Sequence, residues 1–256
     1  MSPELFAAAV AVGVFAGGLL GLALKQVLPE QHTSGPSRDM IGAVVGLLTL
    51  LCALVTGLLV WTAYGVYAAQ NTAIQTLASK VVKLDLALED FGPVTKPERM
   101  DLRDRVEKTI DQVWGSHTSN ANFETENFDI AIKFMRDPEK ALGHLHPETD
   151  EQKQALATAK STLDAIEQSR LQMSFALSAP ISYPVLLTLV GWVFFLFCGF
   201  GLMSKGGPMP FIALAVAAIA VASAVLLILD LSNPYLGAIH ASPAPLEQAL
   251  AIMPKE

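Results

Sequence analysis

One continuous stretch decides the fold of this chain: IGAVVGLLTLLCALVTGLLVWTAYGVYAAQNTAIQTLASKVVKLDLALEDF, residues 41–91. Its first part, Ile41–Tyr64, contains no charged residue and no histidine, and it exceeds the roughly 20 residues that a helix needs to cross a hydrocarbon core. No proline interrupts the stretch, and apolar residues of its second part recur at three- and four-residue steps. These residues are Ile74, Leu77, Val81, Leu84, Leu88 and Phe91. The stretch therefore predicts one helix of about 50 residues that crosses a membrane and continues outside it.

Three further stretches resemble Ile41–Tyr64 in length and composition. They are Leu5–Leu24, Ile181–Ser204 and Met209–Leu229, and none contains a charged residue or histidine. Leu5–Leu24 lacks the basic segment that precedes the apolar core of a signal peptide, so we interpret it as a retained first span. The predicted fold class is therefore an all-α integral membrane protein with four transmembrane helices.

The second and third spans are separated by a polar segment, residues 66–180, which contains 13 Lys or Arg and 18 Asp or Glu. Helical periodicity is present over Pro97–Trp114, over Phe123–Arg136 and before span three, and no strand-like alternation accompanies it. We predict an all-helical extramembrane domain here. The expected organisation is spans one and two in residues 1–65, the helical domain in 66–180, spans three and four in 181–232, and a C-terminal tail in 233–256.

Several classes of function are excluded by composition. The net charge is −7 and no basic surface is evident, so nucleic acid is not an expected partner. No catalytic signature or phosphate-binding loop is present, and we expect neither an enzyme nor a cofactor. The pair His144 and His146 reads as part of a solvated loop, so no metal site is predicted. The absence of acids within the spans argues against a proton-coupled transporter.

One face of span two is the candidate pore lining. Small and weakly polar side chains recur there at three-, four- and seven-residue spacings, and this pattern suits either close helix packing or a narrow pore. The candidates are Thr49, Cys52, Ala53, Thr56, Val60, Ala63, Tyr67 and Gln70.

Four charged residues are singled out by their positions. Arg170 interrupts the apolar stripe of the helix before span three, where an unpaired charge would be costly, and Asp85 and Glu89 on the opposing long helix are its expected partners. The pair would either pin two helices together or attract ions within an oligomeric vestibule. Asp230, at the end of span four, is a membrane-boundary acid with either a capping or a functional role.

The segment Asn71–Trp114 resembles an uncharacterised bacterial membrane family named bestrophin-like. The matching positions include an LD-x-x-L-x-x-x-G-P segment and an arginine-containing helix that ends in tryptophan. Within this segment they are Leu84, Asp85, Leu88, Gly92, Pro93, Arg103 and Trp114. Further matching positions lie in span three, at Trp192, Phe197, Gly201 and Leu202, and in the C-terminal tail, at Pro234, Gly237, Pro245 and Leu246.

The resemblance implies a remote similarity to bestrophins, which are pentameric anion channels with four spans and a pore lined by the second span. The expected function is accordingly a homo-oligomeric, pentameric channel of the cytoplasmic membrane that passes small ions, with chloride the leading candidate. The alternative is a non-conducting membrane scaffold or stress-response interaction protein. The basic residues Lys25, Arg38 and Lys205 favour a helical domain outside the cell, whereas the bestrophin analogy places it in the cytoplasm, and sidedness stays open.

Overall fold

The computed structural model describes residues 3–29, 35–115, 142–177, 183–204, 208–235 and 239–254. Within these residues the chain is helical and contains no strand, which confirms the all-α prediction. The helices are α1 (Pro3–Val27), α2 (Pro36–Phe91), α3 (Lys96–Trp114), α4 (Asp150–Leu177), α5 (Tyr183–Met203), α6 (Pro208–Ser232) and α7 (Ala244–Ile252). The predicted helix Phe123–Arg136 and residues 205–207 of the connection between the last two spans lie outside the described residues.

Four of these helices are long and apolar enough to cross a membrane: α1, α2, α5 and α6. The second, α2, continues without a break from its apolar part to Phe91, over 56 residues. At a rise of about 1.5 Å per residue such a helix is about 84 Å long, far more than the roughly 30 Å of a hydrocarbon core. The single long helix that the sequence predicts is therefore present.

The chain divides into two compact units. We call the first the membrane unit; it comprises Met1–Gly65 and Ile181–Ser232. We call the second the helical unit; it comprises Val66–Pro180 and Asn233–Glu256. The C-terminal tail, expected as a separate segment, thus belongs to the helical unit, and α2 contributes residues to both units.

Helix α1 packs against α5 and α6 in the membrane unit. Glycines bring the α1 and α5 backbones close together: a Cβ atom built on Gly21 would lie 2.1 Å from the Cys198 carbonyl oxygen, and one on Gly201 would lie 2.4 Å from the Gly18 carbonyl oxygen. In a bilayer, helices associate through such close packing because apolar side chains gain nothing by leaving lipid. Only glycine fits these positions, so the glycine-rich sequence of α1 is explained by its partner.

The helical unit has an apolar core between α2, α3, α4 and the C-terminal segment. The apolar stripe predicted on α2 is buried here, together with the apolar stripe of α4, which comprises Leu156, Ala159, Leu163 and Ile166. Ile74 and Ile166 have no exposed surface. Burial of such side chains supplies about 1.5–3 kcal/mol each relative to exposure, so this stripe is a principal source of stability.

A sharp turn at Gly92 reverses the chain between α2 and α3. Gly92 has φ 122°, a backbone conformation that residues with a side chain rarely adopt, and Pro93 follows it at the start of a 3-10 turn, Pro93–Thr95. The Thr95 hydroxyl donates to the carbonyl oxygen of Leu88, one of the last four carbonyls of α2, which lack partners within the helix. The turn brings α3 alongside the last part of α2.

The C-terminal segment is held to the helical unit by polar contacts. The Trp114 indole donates to the Ala241 carbonyl oxygen at 2.7 Å, and the Arg103 guanidinium donates to the Leu250 carbonyl oxygen at 2.6 Å. Arg103 thereby places a positive charge at the C-terminal end of α7, where it complements the helix dipole. Two residues that carry the family resemblance thus serve the fold.

Replacing Gly21 with alanine tests the contact between α1 and α5. The added methyl group would overlap the Cys198 carbonyl, so we expect a loss of about 1–3 kcal/mol in the free energy of unfolding, seen as a lower melting temperature in detergent. Gly13→Ala is the matched control, because nothing lies within 4 Å of a Cβ atom built there. Equal melting temperatures for the two variants would contradict the close contact.

Candidate functional site

The eight predicted pore-lining residues of α2 do not share one environment. Cys52, Ala63 and Gln70 are buried inside the protomer, with 8, 0 and 2 % of their surface exposed. Thr49 and Ala53 are exposed, whereas Thr56, Val60 and Tyr67 are half-buried. Side chains buried in one protomer have no surface to offer a pore between protomers. The structure therefore removes Cys52, Ala63 and Gln70 from the available lining, and the small residues there serve close packing instead.

The remaining candidates lie along one edge of the buried face. At 100° per residue, the buried positions Val45, Cys52, Leu59 and Ala63 fall on one side of α2, and Thr49, Ala53, Thr56 and Val60 follow them around the helix. Gly46 and Gly57 continue this edge outward, and both are exposed. Small side chains thus form an accessible strip on span two.

The opposite side of span two carries large apolar side chains with high exposure. Leu50 is 71 % exposed and Trp61 is 75 % exposed, and Leu47, Leu54 and Leu58 lie with them on the same side. Lipid tails suit such a surface. Span two therefore presents three distinct faces: a buried face, a strip of small residues and a bulky apolar face.

The polar interior of the helical unit contains an ion pair between α2 and α3. The Arg99 guanidinium donates to both carboxylate oxygens of Asp85, at 2.8 and 2.9 Å, and to Glu89 at 3.2 Å. The Asp85 side chain is only 4 % exposed, so its charge depends on this partner. The hydrogen bond to Asp85 raises the pKa of Arg99 further.

This ion pair corrects the predicted one, in which Arg170 was the partner of Asp85 and Glu89. Gln70 Nε2 donates to the Met173 carbonyl oxygen at 3.2 Å, and Lys80 Nζ donates to the Ala165 carbonyl oxygen at 3.0 Å. Helices α2 and α4 are therefore antiparallel, and Arg170 lies level with the part of α2 between Gln70 and Lys80. Asp85 lies beyond Lys80, and the Gly92 turn places Arg99 beside it instead.

Arg170 itself is largely enclosed. Burial lowers the pKa of its guanidinium to about 10 because the charged form loses hydration. The group remains protonated near pH 7, since that pH lies well below 10. The sequence predicts a buried cation at this position, whereas the two acids predicted as its partners, Asp85 and Glu89, are bound by Arg99.

A second polar contact joins α2, α4 and the C-terminal segment. The Tyr235 hydroxyl donates to Gln70 Oε1 at 2.9 Å, while the Gln70 amide nitrogen donates to the Met173 carbonyl oxygen. Burial raises the pKa of Tyr235 because the phenolate would lose hydration. Gln70, predicted as a pore residue, thus satisfies buried polar groups, and the sequence held no signal that Tyr235 would reach it.

Two further positions complete the list of candidates. Asp230 lies in the last turn of α6 with 9 % of its surface exposed, and its neighbours Ile228, Leu229 and Leu231 are buried as well. His144 and His146 lie in an exposed segment, and among the described residues no group of three or more potential metal ligands is present.

Replacing Arg99 with glutamine tests the buried ion pair. The substitution leaves the Asp85 carboxylate buried without its cation, and we expect a cost on the order of 3 kcal/mol in the free energy of unfolding. Lys153→Gln is the control, since it removes the cation of an exposed pair with Asp150 and should change stability by less than about 0.5 kcal/mol. The double variant Asp85→Asn/Arg99→Gln should recover part of the loss. Equal melting temperatures for R99Q and K153Q would contradict the assignment.

Comparison with known proteins gives one family. A family model described as a Bestrophin-like domain matches residues 12–246, which is nearly the whole chain. No curated protein and no solved structure gives a significant match. The match covers four helices suited to crossing a membrane and the helical unit between the second and third of them. The chain is therefore a multi-pass membrane protein and belongs to the bestrophin-like family.

Proposed function

We propose that this protein is a homo-oligomeric, pentameric ion channel of the cytoplasmic membrane that conducts anions, with α2 lining its pore. The family supplies the starting point, because it is related to channels. The observation that carries the proposal is the unusual exposure of α2. In its most apolar window only 17 % of residues are buried in the protomer, against 28–39 % for the other three spans.

An exposed span needs partners that suit each of its faces. The bulky side, with Leu50 and Trp61, suits lipid. The strip formed by Thr49, Ala53, Thr56 and Val60 offers lipid tails little packing area and suits either a neighbouring subunit or an aqueous passage. In a ring of several copies with this strip toward a common axis, the strip would contact the neighbouring subunits and an aqueous passage, while the bulky side would face lipid. The pore would then be a constriction of small apolar and hydroxyl groups, without a ring of fixed charge inside the membrane.

The apolar stripe of α2 beyond the membrane does not extend this pore wall. Its members, from Ile74 to Phe91, form the core of the helical unit. Side chains in that core cannot face a passage. Any wall outside the membrane must use a different face of α2.

Tryptophan at the strip is expected to obstruct ion flow. We predict that Thr56→Trp lowers chloride flux from liposomes by at least about tenfold while leaving the oligomeric state unchanged, because the indole would occupy the constriction. Since Thr56 is half-buried, Ala53→Trp is the second variant, because Ala53 is exposed.

The matched control is Leu54→Trp. Leu54 neighbours Ala53 in sequence, is 62 % exposed and lies on the bulky side that we assign to lipid. The chloride flux of the Leu54→Trp variant should therefore equal that of the unmodified protein. Wild-type flux from well-assembled T56W and A53W would contradict the pore assignment. Absence of any flux from the unmodified oligomer would favour the alternative of a non-conducting scaffold.

A further inference from the structure

A small cavity lies in the helical unit between α2, α3 and α4. Its volume is about 30 Å³. A single water needs about 10–15 Å³ of such space, so the cavity holds about two water-sized groups. Leucines form most of its wall: Leu84 on α2, Leu102 on α3 and Leu163 on α4 are each no more than 5 % exposed. The cavity therefore reaches the apolar core of the helical unit.

The polar part of the wall comes from α3, at Glu98, Asp101 and Arg105. Arg105 Nε donates to Asp101 Oδ2 at 2.6 Å, so these two side chains form an ion pair with each other. Glu98 differs from them. Its Oε2 atom is buried, and no hydrogen-bond donor among the described residues reaches it. No lysine or arginine in the described part of the chain forms an ion pair with Glu98 either.

A buried carboxylate oxygen without a donor is costly, and native proteins rarely leave one unsatisfied. Glu98 lies in the first turn of α3, where the helix dipole favours a negative charge. Loss of the Glu98 charge is therefore not the simplest way to satisfy the site. A ligand that brings both a positive charge and hydrogen-bond donors would satisfy it.

The chemistry of the wall selects among such ligands. Ca²⁺ and Mg²⁺ require six or more oxygen ligands, whereas this wall offers two carboxylates, and no group of three or more potential metal ligands occurs among the described residues. A protonated primary amine carries three N–H donors of its own. Its attached carbon suits the leucines, because apolar surface is favourably removed from water there.

We infer that this cavity binds a small primary amine in its protonated form, with an N–H group donating to Glu98 Oε2 and the adjacent carbon against the leucines. Nitrogen and one carbon are two heavy atoms, which matches the space for two water-sized groups. The inference is independent of the proposed function, because the cavity forms within the helical unit of one protomer and requires neither an oligomer nor a pore.

Thermal unfolding of the full-length protein in detergent tests the inference, with methylammonium as the probe. A ligand of two heavy atoms binds weakly, with a Kd on the order of 10 mM. Methylammonium chloride at about 100 mM should then raise the melting temperature by about 3–5 °C over sodium chloride at the same concentration. Tetramethylammonium chloride is the matched control: it carries the same charge, has no N–H donor and is too large for the cavity, so it should give no rise.

Two variants assign the effect to Glu98. Glu98→Gln keeps the shape of the side chain and removes its charge, so the rise in melting temperature with methylammonium should disappear. Without the amine this variant should be at least as stable as the unmodified protein, because no protein partner of Oε2 is lost. Glu107→Gln removes an exposed acid from the same helix and should keep the full rise.

Saturation-transfer NMR supplies a second readout that requires no variant. Saturation of the unmodified protein should reach the methyl group of methylammonium and should not reach tetramethylammonium. Methyl saturation should persist with Glu107→Gln and vanish with Glu98→Gln.

Three results would overturn the inference. The first is the absence of both a temperature rise and saturation transfer with methylammonium, which would show that the cavity holds water only. The second is an equal rise with tetramethylammonium, which would indicate a general effect of organic cations. The third is an undiminished rise in E98Q. None of these results bears on whether the protein conducts ions.

Discussion

Helix α2 has to be stable in a lipid bilayer over its first part and in water over its second part. Between Pro36 and Phe91 its backbone hydrogen bonds are satisfied internally, which is what a bilayer requires of any spanning segment. Its buried residues keep the same three-, four- and seven-residue spacing before and after Gly65, from Val45 and Cys52 to Leu84 and Leu88. One uninterrupted helix can therefore serve the membrane unit and the helical unit without a change of register.

The two units are stabilised by different physical means. In the membrane unit, glycines at positions such as Gly21 and Gly201 allow backbone contact between α1 and α5, since lipid removes the hydrophobic drive for association. In the helical unit, water is present, and burial of the Ile74 and Ile166 side chains contributes directly. The buried Asp85–Arg99 pair then specifies how α3 lies against α2, because neither charge tolerates loss of the other.

Much of the fold could be predicted from sequence, because the spans and the buried helix faces depend on where charged and apolar residues fall along the chain. Runs without charge reveal spans, and the three-four spacing reveals the buried side of α2 and α4. The side chains that contact each other between different helices were harder to predict. Arg99 is the cation for Asp85 only because Gly92 turns α3 back onto α2, and no periodicity encodes that turn. Small residues were ambiguous for a related reason: Ala63 and Ala53 look alike in sequence, but one packs inside the protomer and the other is exposed.

The central claim is that several copies of α2 surround one axis. Single-particle imaging of the full-length protein in nanodiscs tests this most directly, because it gives the subunit number and the geometry at the axis together. The account predicts a five-fold ring with α2 nearest the axis and a continuous passage beside Ala53, Thr56 and Val60. A monomer, or a ring whose axis is filled by lipid or by a helix other than α2, would contradict it.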